Sequence, residues 1–303
     1  MHELLRGVVV AAITPMKADY SIDEDAFRTY LNFLAERKVH AVFIAGSTGE
    51  GPALTNEERM ALTRVAVAEL RGRVKVIVHA GHINTADAAM LVRHAHEQGA
   101  DGAAVLTPWY FGLDEEALLR HYQSVAAAAP QLPIYLYNLP GNARNVITPS
   151  LVARLSGEIE NIVGLKDSTG DFAAFQANMA AARGEFASLS GSDAFVLAGL
   201  AVGSSGFVSG NSSYFPEVFV GLWNAFQQGD LALARRHQVV INRLRLILKD
   251  GGHLAYFKAV LAMRGIPVGS TRPPRPGLTE SEAAELRISL EQLAREFSDI
   301  VSL

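Results

Sequence analysis

The sequence predicts a (β/α)₈ TIM barrel followed by a C-terminal helical extension. Short apolar, β-rich runs alternate eight times with stretches of helical periodicity, and 303 residues suit a barrel of ordinary size with a substantial core. The apolar runs are nearly continuous, which is typical of parallel strands covered on both faces. An open doubly wound sheet is the alternative, but eight units and the lack of GxGxxG after the first run favour the barrel.

Each of the eight predicted strands is short, apolar and rich in β-branched or aromatic residues. They cover residues 8–14, 41–47, 74–80, 102–107, 134–138, 162–166, 186–190 and 206–209. The intervening helices are predicted, for example, over 23–37, 56–70 and 85–98. Thr55 with Glu58 three residues later is the pattern of a capping box, and Gly99 is typical of a helix end.

The barrel is predicted over residues 1–228, and residues 229–303 are predicted to be a helical extension packed on it. The extension contains helical stretches at 230–249, 254–264 and 280–297, with a proline-rich connector before the last. These pieces have no core pattern of their own and are individually too short to be stable alone. We therefore expect them to pack on the barrel rather than to form a separate domain.

Composition disfavours several classes of function. The formal net charge of −4, without a long basic run, disfavours nucleic acid as a partner. The chain has no cysteine, which excludes disulfides, thiolate catalysis and zinc–cysteine sites and fits the reducing cytoplasm, the predicted location. Neither a signal-peptide pattern at the start nor an apolar stretch near the roughly 20 residues needed to span a bilayer is found, so no membrane partner is expected.

The histidines do not form a pattern typical of a metal site, because none of them belongs to an HExxH-type motif. His79 and His82 are near each other in sequence, while His94 and His96 are interpreted as helix-surface residues. No metal ion is therefore predicted. Lys258 falls in an apolar helix and is interpreted as a structural lysine that either reaches solvent or is paired.

Lys166 is the main candidate for catalysis. It ends the apolar run 162–165 and precedes the predicted turn 167–170. Burial disfavours the ammonium form, and a neutral lysine amine attacks ketones to give a Schiff base. A strand-end lysine that simply reaches solvent is the alternative. Functional groups of such barrels gather at the carboxyl ends of the strands, and Tyr137 ends the preceding strand, so we favour a catalytic lysine.

Two other strand ends carry suitable groups. The turn at residues 46–50 offers backbone N–H groups and the hydroxyls of Ser47 and Thr48 to a small anion such as a carboxylate, although an ordinary glycine-rich turn is the alternative. Tyr137 can relay protons at a ketone bound by Lys166. Tyr135 alternates onto the same side of its strand and is interpreted as a side chain of the barrel interior.

Three motifs carry a family resemblance. GSTGE at 46–50, YNLPG at 137–141 and GLKDST at 164–169 resemble, in order and spacing, the signatures of the dihydrodipicolinate synthase / N-acetylneuraminate lyase family. The resemblance extends over the whole chain. It implies a (β/α)₈ lyase, a class I aldolase that binds pyruvate or another 2-oxo acid as a Schiff base on Lys166, without a cofactor.

The resemblance also implies roles for individual residues. Ser47 and Thr48 match the positions that hold the substrate carboxylate, and Tyr137 matches the proton-relaying tyrosine. Tyr110 matches a catalytic tyrosine that synthase members donate across a dimer interface.

Further positions match the pocket wall and the assembly of the family. Gly191 and Val208 match residues whose backbone lines the pocket. Members are commonly tetramers built as dimers of dimers, so a homotetramer is expected here.

Departures from the family pattern bear on the substrate. Synthase members carry an arginine after YNLP that holds the semialdehyde carboxylate, whereas this chain has Gly141 and Asn142, with Arg144 two places further on. Members that act on sialic acid carry Asp-Glu after the glycine of the seventh strand, whereas this chain has Asp193 followed by Ala194. Neither substrate is therefore favoured.

Four polar residues at the strand ends suit a hydroxylated chain: Ser168, Asp193, Ser209 and Asn211. We therefore predict reversible aldol cleavage of a 2-keto-3-deoxy sugar acid, or a similar hydroxylated 2-oxo acid, to pyruvate and an aldehyde. The alternatives are 4-hydroxy-tetrahydrodipicolinate synthase, which joins pyruvate to aspartate semialdehyde, and a Schiff-base dehydratase or hydratase. A non-catalytic pyruvate-binding protein is a more distant alternative.

Overall fold

The structure, a computed structural model, describes residues 3–251 and 253–303 and contains a closed barrel of eight parallel strands. Each strand pairs with the next along the chain, and β1 also pairs with β8 to close the barrel. The predicted fold class is confirmed. The strands are β1 (Gly7–Ala11), β2 (Ala41–Ile44), β3 (Lys75–His79), β4 (Gly102–Leu106), β5 (Ile134–Asn138), β6 (Ile162–Asp167), β7 (Ala187–Ser190) and β8 (Gly206–Ser209).

Helices surround the barrel and continue beyond it. In the barrel they are α1 (Glu24–Glu36), α2 (Asn56–Leu70), α3 (Thr85–Gln98), α4 (Glu115–Ala127), α5 (Pro140–Ala143), α6 (Pro149–Glu158), α7 (Phe172–Ala181), α8 (Val196–Ala201) and α9 (Pro216–Gln227). Those that follow are α10 (Leu231–Ile247), α11 (Leu254–Met263) and α12 (Glu280–Glu296). The capping box of Thr55 and Glu58 is present at the start of α2, and Gly99 ends α3 in a left-handed conformation, as predicted.

Several strands are shorter at their carboxyl ends than the sequence predicted. β2 ends at Ile44 because Ala45 has a φ of 54°, which takes the chain out of the extended region and into the turn that follows. The short helix α5 directly after β5 was not predicted. Both differences arise where the chain leaves a strand to form the loops at the carboxyl end of the barrel.

Alternate strand residues fill the barrel interior, while the others pack against the helices. The interior cluster includes Phe43, Tyr135 and Tyr137. Tyr135 lies towards the amino-terminal end, where its hydroxyl accepts a hydrogen bond from the Leu5 N–H at 3.0 Å, which agrees with its interpretation as an interior residue. Gly164 faces it, since a Cβ there would lie 2.5 Å from the Tyr135 ring. The bulk of Tyr135 thus fills the space that Gly164 leaves empty.

The extension is joined to the barrel through buried side chains. α10 packs against α9 and α12, and the exposed ion pairs Arg236–Asp299 (2.8 Å) and Arg243–Glu296 (2.7 Å) connect α10 with the end of the chain. α11 is mostly buried, including Phe257. No helix in the described parts of the chain is long and apolar enough to cross a membrane.

Candidate active site

A cavity of about 420 Å³ opens at the carboxyl ends of the strands. Nine residues that were predicted for the site line it: Ser47, Thr48, Tyr137, Lys166, Ser168, Gly191, Asp193, Val208 and Asn211. They come from five different strand ends, which the closure of the barrel brings to one place. This is the size and position of a site for a small organic molecule.

Lys166 is 6% exposed and lies between two aromatic rings. Its Nζ is 3.9 Å from the centre of the Tyr137 ring and 4.6 Å from that of Phe43. Among the residues that the structure describes, no carboxylate forms an ion pair with it. The amine is therefore held against two aromatic faces and not by an ion pair.

Tyr137 connects the lysine with the turn that follows β2. Its hydroxyl lies 3.4 Å from the Ser47 Oγ, and its ring packs edge-on against Phe43 and His79. Burial, and then the charges of Arg59 and Lys166, lower the pKa of His79 well below its usual value, so this imidazole stays neutral. His79 thus supports the Tyr137 ring without adding a charge beside Lys166.

The Ser47–Thr48 turn is closed by its own backbone. Gly51 N–H donates to the Gly46 carbonyl at 2.9 Å, and Glu50 N–H donates to the Ser47 carbonyl at 3.2 Å. Ser47 and Thr48 are half-buried and line the cavity. Their hydroxyl groups are therefore placed to contact an anion inside it.

Asp167, whose role the sequence analysis missed, fixes the end of β6. One carboxylate oxygen accepts from the N–H and the hydroxyl of Thr169, at 2.9 and 2.6 Å. The other accepts from the side-chain amides of Asn138 (3.1 Å) and Asn178 (2.9 Å). The neighbouring Lys166 therefore projects from a strand end with little freedom to move. The acidic residue after the lysine was visible in the sequence, but its amide partners were not.

Asp193 forms a polar part of the cavity wall. Its Oδ2 accepts from Ser209 Oγ at 2.9 Å and from the Asn211 amide at 2.6 Å, and Tyr214 donates a hydrogen bond to the Asn211 carbonyl oxygen. Burial raises the pKa of Asp193 above its usual value. The carboxylate is thus held in one orientation at the cavity surface.

Two residues that were predicted to belong to the site, Ser209 and Tyr110, do not line this cavity. Ser209 donates its hydroxyl to Asp193 and accepts from the Ser212 N–H at 3.0 Å, so it orients the carboxylate instead of reaching the cavity itself. Tyr110 is 72% exposed and packs against Phe111, with ring centres 4.9 Å apart. Its proposed contribution to a neighbouring site requires a second subunit and stays a prediction.

The extension supplies residues to the cavity that sequence reasoning missed. Arg245 from α10, Leu254 and Phe257 from α11, and Arg275 from the connector all line it. None of them belongs to a motif, and their distance in sequence from the strands gave no signal. No group of three or more His, Asp or Glu side chains within the described residues is arranged to hold a metal ion.

The lysine at the floor of this cavity and the strand-end loops around it define a (β/α)₈-barrel enzyme that acts on a small molecule. The chain belongs to the dihydrodipicolinate synthetase family, whose family model matches residues 4–293. It is a lyase of the pyruvate-dependent aldolase type that this family represents.

The curated relatives of this chain include both an uncharacterized lyase and a synthase. The chain is 37% identical over 289 residues to an uncharacterized DapA-like lyase of Halobacterium salinarum, covering 95% of this chain and 94% of the relative. It is 33% identical over 288 residues to the 4-hydroxy-tetrahydrodipicolinate synthase of Bacillus subtilis, covering 95% and 99%. The family is therefore shared, while the relatives differ in what is known of their activity.

Solved structures give the same picture. Dihydrodipicolinate synthase from Bacillus anthracis superposes with a TM-score of 0.90 at 33% identity, covering 96% of this chain and 99% of the other. YagE from Escherichia coli K12, a prophage protein of the dihydrodipicolinic acid synthase family solved with pyruvate, superposes with a TM-score of 0.92 at 30% identity, again covering 96% and 99%.

Proposed function

We propose that this protein is a Schiff-base (class I) lyase that reversibly cleaves a 2-keto-3-deoxy sugar acid, or a similar hydroxylated 2-oxo acid, to pyruvate and an aldehyde. The observation that carries the proposal is the position of the Lys166 amine, 3.9 Å from the centre of the Tyr137 ring, while the Tyr137 hydroxyl lies 3.4 Å from Ser47 Oγ. Nucleophile, proton carrier and anion-binding hydroxyl therefore face one cavity. The pyruvate complex of YagE supports a 2-oxo acid as the ligand.

The reaction begins with imine formation. The substrate carboxylate binds at Ser47 and Thr48, which brings the ketone carbon to Lys166. The neutral amine adds to this carbon, and Tyr137 donates a proton to the oxygen, which becomes the carbinolamine hydroxyl. The nitrogen then gives a proton to the Tyr137 phenolate, and Tyr137 passes this proton to the carbinolamine hydroxyl, so that water leaves and the protonated imine remains. Ser47 serves as hydrogen-bond partner of the Tyr137 hydroxyl during these transfers.

The protonated imine then accepts the electrons of the breaking bond. The Tyr137 phenolate takes the proton of the C4 hydroxyl as the C3–C4 bond breaks, so the aldehyde leaves and an enamine forms on Lys166. Protonation of the enamine at C3 and addition of water to the imine release pyruvate and restore the amine. We propose that no cofactor or metal takes part, because the lysine itself supplies the electron sink.

The polar wall supports a hydroxylated substrate. Asp193 and Ser168 line the cavity together with Asn211, and a carboxylate, a hydroxyl and an amide are groups that bind sugar hydroxyls. The carboxylate of Asp193 has Ser209 and Asn211 on one oxygen, Oδ2. Because Asp193 also lines the cavity, we propose that its carboxylate accepts a hydrogen bond from a substrate hydroxyl.

The condensing synthase is the second candidate, and the Bacillus subtilis relative supports it. Asn142 lines the cavity near the position where synthase members carry an arginine, and it offers no positive charge to a semialdehyde carboxylate. Arg144 does not line the cavity but lies beside a separate pocket with Gly112 and Leu113. These positions favour the lyase over the synthase.

Two further alternatives differ in whether they form the imine. A dehydratase or hydratase would form the imine and then lose or add water along the chain, while a pyruvate-binding protein would release its ligand unchanged. We further propose a cytoplasmic homotetramer, to which the exposed Tyr110 and Phe111 at the rim contribute an interface.

The first test is the intact mass of the protein after incubation with pyruvate and sodium borohydride. A pyruvate-sized adduct is expected on the unmodified chain and on the control Lys249→Ala, which removes an exposed lysine 3.9 Å from Glu282. Lys166→Ala should form none while keeping its circular dichroism spectrum. An unmodified chain without an adduct, or an adduct that persists in Lys166→Ala, would contradict the proposal.

A substrate panel then separates the reactions. Aldehyde and pyruvate released in equal amounts from 2-keto-3-deoxy sugar acids indicate the lyase. Product of unchanged carbon number that has lost water indicates the dehydratase. Turnover only with aspartate semialdehyde and pyruvate would indicate the synthase and rule out the proposed substrate class.

A further inference from the structure

The turn that carries Ser47 and Thr48 is fixed at its far end by a buried carboxylate. Glu50 directly follows the turn, and its side chain is 0% exposed. One carboxylate oxygen lies 2.8 Å from Lys258 Nζ, and the other accepts a hydrogen bond from the Arg272 backbone N–H at 2.8 Å. Lys258 lies in α11 and Arg272 in the connector before α12, so both partners belong to the C-terminal extension.

The side chain of Lys258 is also held in place. Its side chain is 2% exposed, and Nζ also donates to the Ser270 carbonyl at 2.6 Å. Burial lowers the pKa of Lys258, while the charge of Glu50 opposes this shift. The predicted structural lysine is therefore a paired one. An ion pair without access to water fixes its two elements in one geometry, because a buried charge left alone is costly.

The backbone of the turn needs such support. Ala45 and Glu50, which flank it, have φ angles of 54° and 56°, a left-handed conformation that costs free energy in residues with a Cβ. Gly51 admits no side chain, since a Cβ there would lie 1.8 Å from the Ala45 carbonyl oxygen. A strained turn of this kind keeps its shape only where its surroundings hold it.

Contacts on both sides of the turn come from the barrel and from the extension. Thr14 donates its hydroxyl to the Gly49 carbonyl at 2.6 Å, which fixes the side near β1. A Cβ at Gly210 would lie 3.2 Å from Thr48 Oγ1 and 3.2 Å from the Phe257 ring, so both residues border Gly210. α11 thus places Phe257 in the cavity wall and the adjacent Lys258 on Glu50.

Glu50 itself has no route to the substrate. Its side chain has no exposed surface and does not line the cavity, and both oxygens face the extension. A role as proton carrier is therefore excluded by position, and any effect on binding must act through the turn.

We propose that Glu50 and Lys258 are positioning residues through which the C-terminal extension holds the Ser47–Thr48 turn in the shape that binds the 2-oxo acid carboxylate. This inference rests on the proposed function of the turn. It means that the extension contributes to substrate affinity, a contribution that the strand-end motifs alone do not reveal.

The test measures reductive trapping by borohydride as a function of pyruvate concentration. Glu50→Gln and Lys258→Met should each raise the half-saturating pyruvate concentration about tenfold or more, since distorting the turn weakens its hydrogen bonds to the carboxylate. The trapping rate at saturating pyruvate should change by less than about twofold, because Lys166 and Tyr137 are untouched. The control Arg243→Gln removes an exposed ion pair of the extension and should leave both values unchanged.

The double variant Glu50→Gln/Lys258→Met keeps the test decisive if a single variant fails to fold. Each single variant leaves one buried charge without its partner, whereas the double variant leaves none. The double variant should therefore fold at least as well as either single variant. It should still show the raised half-saturating concentration. A structural role alone would reduce the folded fraction and hence the adduct yield without moving this concentration, and that result overturns the inference.

The outcomes also separate the inference from the function on which it rests. If the unmodified chain forms no adduct at any pyruvate concentration, both the proposed function and the positioning role are wrong. If the unmodified chain forms the adduct and the folded double variant has a normal half-saturating pyruvate concentration, only the positioning role is wrong.

Discussion

Tyr137 and Lys166 are direct partners in the register of β5 and β6, and the lysine Nζ lies 3.9 Å from the centre of the tyrosine ring. Neighbouring parallel strands thus place the nucleophile and its proton carrier side by side, each at the carboxyl end of its strand. The Ser47 hydroxyl, 3.4 Å from Tyr137, completes the group from β2 on the opposite side of the barrel interior. The relative position of the three is set by barrel closure.

Tyr137→Phe should lower kcat by on the order of 100-fold or more, as expected for loss of a positioned proton donor. Tyr135→Phe is the matched control, because it removes a hydroxyl from the same strand and the same face. That hydroxyl bonds to Leu5 N–H away from the cavity, so its loss should cost about 1 kcal/mol of stability and leave kcat unchanged. Steady-state kinetics and urea unfolding of both variants check this, and similar kcat values would contradict the role of Tyr137.

Ser47→Ala and Thr48→Val should raise the KM for the 2-oxo acid about tenfold or more, because each removes a hydroxyl that bonds a charged carboxylate. Ser47→Ala should also lower kcat, since its Oγ lies 3.4 Å from the Tyr137 hydroxyl, whereas Thr48→Val should not. Initial rates over a range of substrate concentrations separate the two effects. Equal changes in both parameters for the two variants would show that Ser47 does not assist Tyr137.

Asp193→Asn should weaken the interaction with the hydroxylated chain of the substrate but not the interaction with its pyruvate end. We expect pyruvate trapping to remain within about twofold of the unmodified chain, while kcat/KM for a hydroxylated 2-oxo acid falls roughly 10- to 100-fold, the loss expected for a hydrogen bond to a charged group. Asp299→Asn, which changes an exposed carboxylate paired with Arg236, is the control. A parallel loss of pyruvate trapping in Asp193→Asn would indicate a general distortion of the cavity instead.

His121 should make the stability of the protein fall as the pH is lowered. Burial lowers its pKa from 6.5 to about 4, so the unfolded chain takes up the proton first. The stability is fully present above pH 6.5 and is lost progressively between pH 6.5 and 4, by at most about 3 kcal/mol from this group.

Urea unfolding at several pH values tests the role of this histidine. His121→Asn, which keeps a hydrogen-bonding group near Thr85, should show a shallower fall of the unfolding free energy between pH 6.5 and 4 than the unmodified chain. His96→Asn, at an exposed position of α3, should follow the unmodified chain. An unchanged slope in His121→Asn would show that another group accounts for the acid sensitivity.

The chain order of apolar runs, caps and glycines was enough to predict the barrel and the strand ends that carry Lys166, Tyr137 and the Ser47–Thr48 turn. These features are local, because a strand of alternating or continuous apolar residues and a helix cap depend on near neighbours. Strand ends were predicted too long where Ala45 turns away from the strand, since a left-handed alanine leaves no mark in the sequence.

Contacts between distant segments were decided only by the tertiary structure. The amide partners of Asp167, the use of Ser209 to orient Asp193, and the ion pair of Glu50 with Lys258 each join residues from different elements. A motif states which groups are available at a strand end. Which of them reach the cavity, and which are used up in holding another side chain, depends on packing and on the requirement that buried polar groups find partners, and these conditions are met only in the folded chain.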